Sequence, residues 1–451
     1  RLRQIGSAAR RQRWYRPALA VGLAGWLAAT SGTAADYASL SQVEAATETR
    51  DYSQQVRDKK FAADQRAFLS GILLPQLSKD ANRAGIARTR QRIRELALRD
   101  AAKELVDPIN GTLRDAMLAQ ATAPETEPLL RVNAMLLVGE LVGADGKPWP
   151  AAAKPLADAA ADAKLPLDVR IAAVAGLSQH VRAAASGAPE VAAIAGPAVA
   201  GLVTTPPEGD PVARRWLVTR ALELLPAVAP PPAAIAAAAG ILADEAADTD
   251  LRVRAAAALG RLARPEAGID AAVAVGHAGS LAVAALETDL AAAEQRRFTR
   301  RLSGGAGWAG AGGLMSPAMP GFGGGMPGAP WGGEMGAGEG LGAEADEDAV
   351  PSLACRRDAW RLFRLAEAIK PARSGPGLAD LLEGDAAAAA GDLASTLRQA
   401  ALDLDAGPNE ATLKQALDAI KELGPAAKAQ PATGGAKPEA APPKPAEESP
   451  F

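Results

Sequence analysis

Of the side chains that most often carry catalysis or bind metal, this 451-residue chain holds one cysteine, Cys355, and two histidines, His180 and His277. A thiol nucleophile needs an activating base, and none stands near Cys355 in sequence, so it reads as a small buried hydrophobe on a helix. One cysteine forms no intramolecular disulfide framework, and two histidines beside it make no Cys/His metal cluster. His180 falls late in a helical segment and His277 in an alanine-rich one. Neither has a serine, cysteine and acid constellation around it, which points to packed or partly exposed structural histidines.

The soft donors that remain are Met315, Met319, Met326 and Met335, all in one glycine-rich stretch. Thioethers select Cu(I), so copper binding is the alternative reading of that stretch. No histidine or cysteine assists them and their spacing is irregular, so a flexible low-complexity loop is the primary one. Trp308, Phe322 and Trp331 in the same stretch are candidate anchors for a partner's pocket, with incidental apolar residues as the bland alternative. The glycines match neither the P-loop nor the dinucleotide-binding pattern. No cofactor is expected.

The elements that must hold any site are helices. Hydrophobic residues make up 48% of the chain and aromatics only 4%, with alanine filling the gap. Alanine has the highest helix propensity and lets elements approach closely, while the valine- and isoleucine-rich runs that strands need are absent. Between Glu125 and Arg264 a grammar recurs: Glu127-Pro128-Leu129-Leu130-Arg131, Leu167-Asp168-Val169-Arg170, Asp210-Pro211-Val212-Ala213-Arg214 and Asp250-Leu251-Arg252-Val253-Arg254, each followed by an apolar, alanine-containing run. With Arg131, Arg170, Arg214 and Arg254 aligned, the spacings are 39, 44 and 40 residues. That period marks stacked helix pairs. Asp210 and Asp250 stand where an N-cap is wanted, as does Asp168 in its copy, and Pro128 and Pro211 suit the first helical position. Arg214 and Arg254 come four residues after their aspartates, at the spacing of a same-face ladder. Leu137, Leu177, Leu217 and Leu259 are the expected packing residues between layers.

The Asp, Val-Arg, Ala-Ala-x-x-Leu-Gly order resembles the second helix of HEAT repeats, most closely at Asp250 to Leu262 and next at Asp168 to Leu177. The resemblance implies an all-α fold, an α-solenoid of antiparallel helix pairs, with an extended surface for a protein partner. The copy at Asp210 departs from the pattern. It has Arg215-Trp216 in place of small residues and Arg220 in place of glycine, which marks Arg215, Trp216 and Arg220 as candidate partner contacts.

Around this array the chain divides into residues 1–35, a signal peptide or signal anchor; 36–50, a linker; 51–124, a helical lead-in; 125–302, the repeats; 303–350, a disordered Gly/Met/Pro-rich insert; 351–423, a C-terminal helical segment; and 424–451, a disordered Pro/Ala-rich tail. The leader reading rests on six arginines without an acid, the apolar stretch Pro17 to Ala29 and the small residues before Asp36. It predicts an exported, periplasmic or secreted chain, with an uncleaved inner-membrane anchor as the alternative. Without residues 1–35 the chain carries 43 basic against 52 acidic residues, a net charge of −9. That sign argues against a general phosphate-backbone binder, so no nucleic acid is expected. The one basic run, Arg83, Arg88, Arg90, Arg92, Arg94 and Arg99, reads as a solvated helix face. The function expected is a non-catalytic scaffold or adaptor in the cell envelope. Copper handling through the methionine stretch is the alternative. A repeat-fold lyase or hydroxylase is the remainder, and it would need converging polar groups that the sequence does not announce.

Overall fold

The computed structural model describes residues 37–184, 189–304, 352–373, 375–407 and 409–423. The leader, residues 303–350 beyond Gly304, and the tail beyond Leu423 lie outside the described residues, and with them the four methionines and the three aromatic anchors. Among the described residues the regular structure is helical and no strand occurs. The chain forms two compact units, Arg1–Ala238 and Ala239–Phe451.

The first unit begins with α1 (Leu40–Ala45), α2 (Thr47–Arg57) and α3 (Ala63–Phe68). A π-turn, Leu69–Leu73, and a 3-10 turn, Leu74–Leu77, follow where Pro75 lacks the N–H that would continue the helix. Next come α4 (Asp80–Arg83), α5 (Ile86–Leu98), α6 (Val106–Thr122), α7 (Pro128–Gly139), α8 (Ala153–Ala161), α9 (Leu167–Ala184), α10 (Pro189–Thr204) and α11 (Pro211–Leu224). Helix α7 packs on α6 and α9, α8 on α9 and α10, and α11 on α9 and α10. Leu137, Leu177 and Leu217 are fully or almost fully buried. The approach of α7 to α9 depends on glycine: a Cβ on Gly139 would stand 2.5 Å from the Gly176 Cα, and one on Gly176 2.7 Å from the Gly139 Cα.

Part of the basic run, Arg90 and Arg94 on α5, turns inward where a solvated face was expected, while Arg83 and Arg88 are exposed. Arg90 is buried, donates to Glu140 at 3.0 Å and also bonds Asn133. Arg94 donates to the Glu140 carbonyl at 2.6 Å, placing a cation at the negative end of α7. Arg92 pairs with Glu44 and Glu95, and Arg83 with Glu127, while Arg88 is exposed. Sequence spacing cannot reveal this, because Glu44, Glu127 and Glu140 all come from other helices.

The helix α12 (Pro232–Ala243) lies at the boundary between the units. The second unit continues with α13 (Thr249–Arg261), α14 (Ala271–Gly304), α15 (Ser352–Ile369), α16 (Gly384–Ala406) and α17 (Glu410–Glu422). Helix α15 packs on α13, α14 and α16, and α17 on α14 and α16. Residues 377–383, expected to be helical, form a 3-10 turn at Leu378–Leu381 instead, with Asp380 accepting from the Gly377 N–H. Part of α14, Ala271–Thr299, is long and apolar enough to cross a membrane, yet half of its apolar window is buried within the protein. Leu281, Ala282 and Leu286 are among its buried residues.

One construction recurs. Five residues separate α8 from α9, and five separate α12 from α13. In both turns the leading aspartate accepts from the N–H two residues on, Asp162 from Lys164 at 2.9 Å and Asp244 from Ala246 at 3.0 Å. Each leading carbonyl accepts from the N–H three residues on. The fourth residue of the following helix is then an arginine whose Nε donates back to the preceding helix: Arg170 to the Ala160 carbonyl and Arg252 to the Leu242 carbonyl, both at 3.0 Å. Each satisfies a helix-terminal carbonyl with a cation. The five-residue turn between α6 and α7 makes the same backbone bond, Thr126 to Ala123, with alanine in place of the leading aspartate.

Candidate interaction surface

Helix α11 starts as expected, with Asp210 at the N-cap accepting from the Ala213 N–H at 2.7 Å and Pro211 at the first helical position. The other expected caps move. In α13 the cap is Asp248, which accepts from Asp250 and Leu251, so Asp250 lies inside the first turn. Asp168 likewise sits inside the first turn of α9, accepting from the Val169 N–H at 2.8 Å. The correct alignment follows from the helix starts: Arg131, Arg170, Arg214 and Arg252 each stand fourth in their helices. Arg252 therefore replaces Arg254 as the repeating residue. The Arg254 guanidinium lies 4.6 Å from the centroid of the Trp360 ring. The ladder of arginines is partial, since Arg214 is exposed and the Nε of Arg131 is buried without a partner.

The departures from small residues in α11 form one surface. Arg220 covers the Trp216 ring at 5.3 Å and pairs with Glu223 at 2.7 Å. Arg182, from α9, reaches the same Glu223 at 3.7 Å. A half-buried tryptophan, held flat by an arginine that is itself fixed by a mostly buried carboxylate, presents an ordered apolar face with a cationic rim. Arg215 and Val212 lie exposed beside it, Val212 at 63%. Separately, a cleft of about 620 Å³ opens beside α1 and α5, lined by Glu44, Asn82, Arg88, Arg92 and Glu95 among others.

The residues with catalytic potential stand on three different helices, His180 on α9, His277 on α14 and Cys355 on α15. Cys355 is buried in the second unit, where burial and the charges of Asp358 and Asp289 push its thiol up and away from a nucleophilic thiolate. His277 is half-buried on α14. His180 is buried on α9 in the first unit, and neither ring nitrogen makes a hydrogen bond. Burial lowers its pKa, with the Gly139 backbone working weakly the other way. A histidine held neutral in the fold stabilises it above the ordinary imidazole value, and that contribution is lost as pH falls through the lowered folded value. The expected result is that His180→Leu makes the stability of the chain less dependent on pH between 7.5 and 5 in urea titrations. An unchanged dependence would count against a buried neutral imidazole. Among the described residues no three His, Cys, Asp or Glu side chains are grouped to hold a metal ion.

A charged cluster that sequence reading missed lies inside the second unit. Arg361 of α15 donates to Asp250 of α13 at 2.7 Å and to Asp358 one turn earlier at 2.9 Å, and stands 3.8 Å from Asp289 of α14. Arg357 meets Asp289 at 3.2 Å. Asp289, Asp358 and Arg361 are all buried, Asp358 completely. The sequence signal was a single Arg-Arg-Asp-x-x-Arg pattern, Arg356 to Arg361, on one helix. No family model, curated protein or solved structure matches this chain.

Proposed function

We propose that the chain is a HEAT-like α-solenoid that serves as a non-catalytic scaffold, holding a protein partner against the face built by α9 and α11 in the cell envelope. The observation that carries this reading is the recurrence of one turn and one arginine bond at α8–α9 and at α12–α13. Its companion is the packing of α7 on α9 and of α9 on α11, although another helix comes between each pair in sequence. Repeated units that bury their neighbours' flanks leave long surfaces free for recognition. The tryptophan and arginines of α11 give that surface the residue types that dominate binding energies. The leader composition supports export, and the acidic remainder favours a protein partner over nucleic acid.

Crosslinking in the intact envelope followed by mass spectrometry tests the reading. A stoichiometric partner should be captured through α9 and α11. Trp216→Ala, which removes an anchor of roughly 2 kcal/mol, should weaken that partner's binding about 30-fold. Capture of no stoichiometric partner, or a partner indifferent to Trp216→Ala and Arg215→Glu together, would remove the basis for this surface.

A further inference from the structure

Charge counting within the cluster around Arg361 leaves one negative charge over. Asp250, Asp289 and Asp358 face two guanidinium groups, Arg357 and Arg361. The excess is concentrated at Asp358, whose side chain is completely buried and whose Oδ2 has no donor, although its Oδ1 is held by Arg361. The other buried carboxylate at the same Arg361 nitrogen is Asp289, 3.8 Å from it and also held by Arg357. Two carboxylate oxygens cannot bond to each other unless one carries a hydrogen.

We propose that Asp289 and Asp358 hold one proton between them at neutral pH, and that this proton is a pH-sensitive clasp fastening α15 to α14. With the proton in place, one carboxyl donates to the other, the orphaned oxygen is satisfied, and the cluster is neutral. Without it, two buried carboxylates face each other and the packing of α15 on α14 must loosen or admit water.

The charged groups on the elements around the pair are these. On α13 they are Asp250, already bonded to Arg361, and Arg254, whose guanidinium stacks on the Trp360 ring, and on α14 it is Asp289 itself. On α15 they are Cys355, whose thiol burial and the two aspartates push up, Arg357 and Arg361. From α16, Arg398 meets Glu367 and the Lys370 carbonyl at the far end of α15, and Asp380 of the 3-10 turn is engaged in its own cap. Burial first, then the bond to Asp289 and its charge, raise Asp358 from the carboxylate range to about 8. A carboxyl raised in the folded state stabilises fully below its unfolded value near 4 and loses that contribution as pH rises through the folded value. The clasp therefore opens on the alkaline side.

Two measurements on the full chain test it. Infrared difference spectroscopy of the wild type should show a protonated carboxylic acid at pH 6 that disappears by pH 9.5 and is missing in Asp358→Asn. Thermal unfolding should lose several degrees between pH 6 and pH 9.5 in the wild type, and at most half as much in Asp358→Asn, whose amide replaces the hydroxyl as donor. Absence of a protonated acid at pH 6 in the wild type overturns the proposal even if the variant fails to fold. So does a pH dependence in a folded Asp358→Asn equal to that of the wild type.

Discussion

Replacing Arg361 with methionine should destabilise the protein by about 3 kcal/mol at pH 9, and by less at pH 6. The Arg361 side chain is 9% exposed and serves carboxylates from three helices, Asp250, Asp289 and Asp358. Truncating one side of a buried pair leaves the other as an uncompensated charge, at a cost of roughly 3–5 kcal/mol. Asp250 moderates the loss, because its side chain is 48% exposed and water can take over its solvation. The pH dependence has its own cause: Asp358 carries its full charge only on the alkaline side, and there it leans on Arg361 alone. Urea unfolding of the wild type and the variant at both pH values measures the effect. A loss below about 1 kcal/mol at pH 9 would mean that the cluster is solvated.

The second large effect is a reversal of sign at glycine. In an open helix, Gly→Ala should stabilise by up to about 1 kcal/mol through backbone entropy. Gly240 on α12, with nothing within 4 Å of the added Cβ, should follow that rule. Gly176→Ala should instead destabilise by about 2–3 kcal/mol, lowering the melting temperature by roughly 5–10 °C. The new carbon would stand 2.7 Å from the Gly139 Cα and 3.2 Å from a Leu156 methyl. The leucine can turn away, but the glycine backbone opposite has no side chain to move, so α7 and α9 must separate and break contacts along their length. Calorimetry on both variants decides the point, and a Gly176→Ala protein at least as stable as the wild type would mean that the two helices do not touch there.

Local sequence carried most of the helical fold. Alanine runs, proline at first helical positions and regularly placed leucines each act within one or two turns, so the segments at α7 to α13 stand close to where composition puts them. Residues that sit close together in sequence were harder to rank. Asp248 and Asp250 flank Thr249, and either could cap; the five-residue turn selects Asp248, which in turn makes Arg252 rather than Arg254 the residue that reaches back. The inward arginines of α5 and the Asp289–Asp358 pair escaped notice for a different reason. Their partners come from other helices, 68 residues away in the case of Arg357 and Asp289, and a charge run read by itself looks the same whether it faces water or carboxylates. The α11 surface was legible as a break in the small-residue pattern, although the clamp of Arg220 between Trp216 and Glu223 was not.

The reach of Arg170 and Arg252 across their turns also constrains how the chain can change length. Each arginine belongs to one helix and the carbonyl it holds to the one before, exactly ten positions upstream. Adding or deleting a single amino acid at 162–166 or 244–248 would rotate the guanidinium off its target, so those two links should reject indels. The tight loop from Val142 to Pro148 is anchored at its base, where Asn110 of α6 donates to the Val142 carbonyl, but its tip from Ala144 to Gly146 is exposed and bonded only within the loop, so the tip should absorb inserted peptide tags without loss of folding.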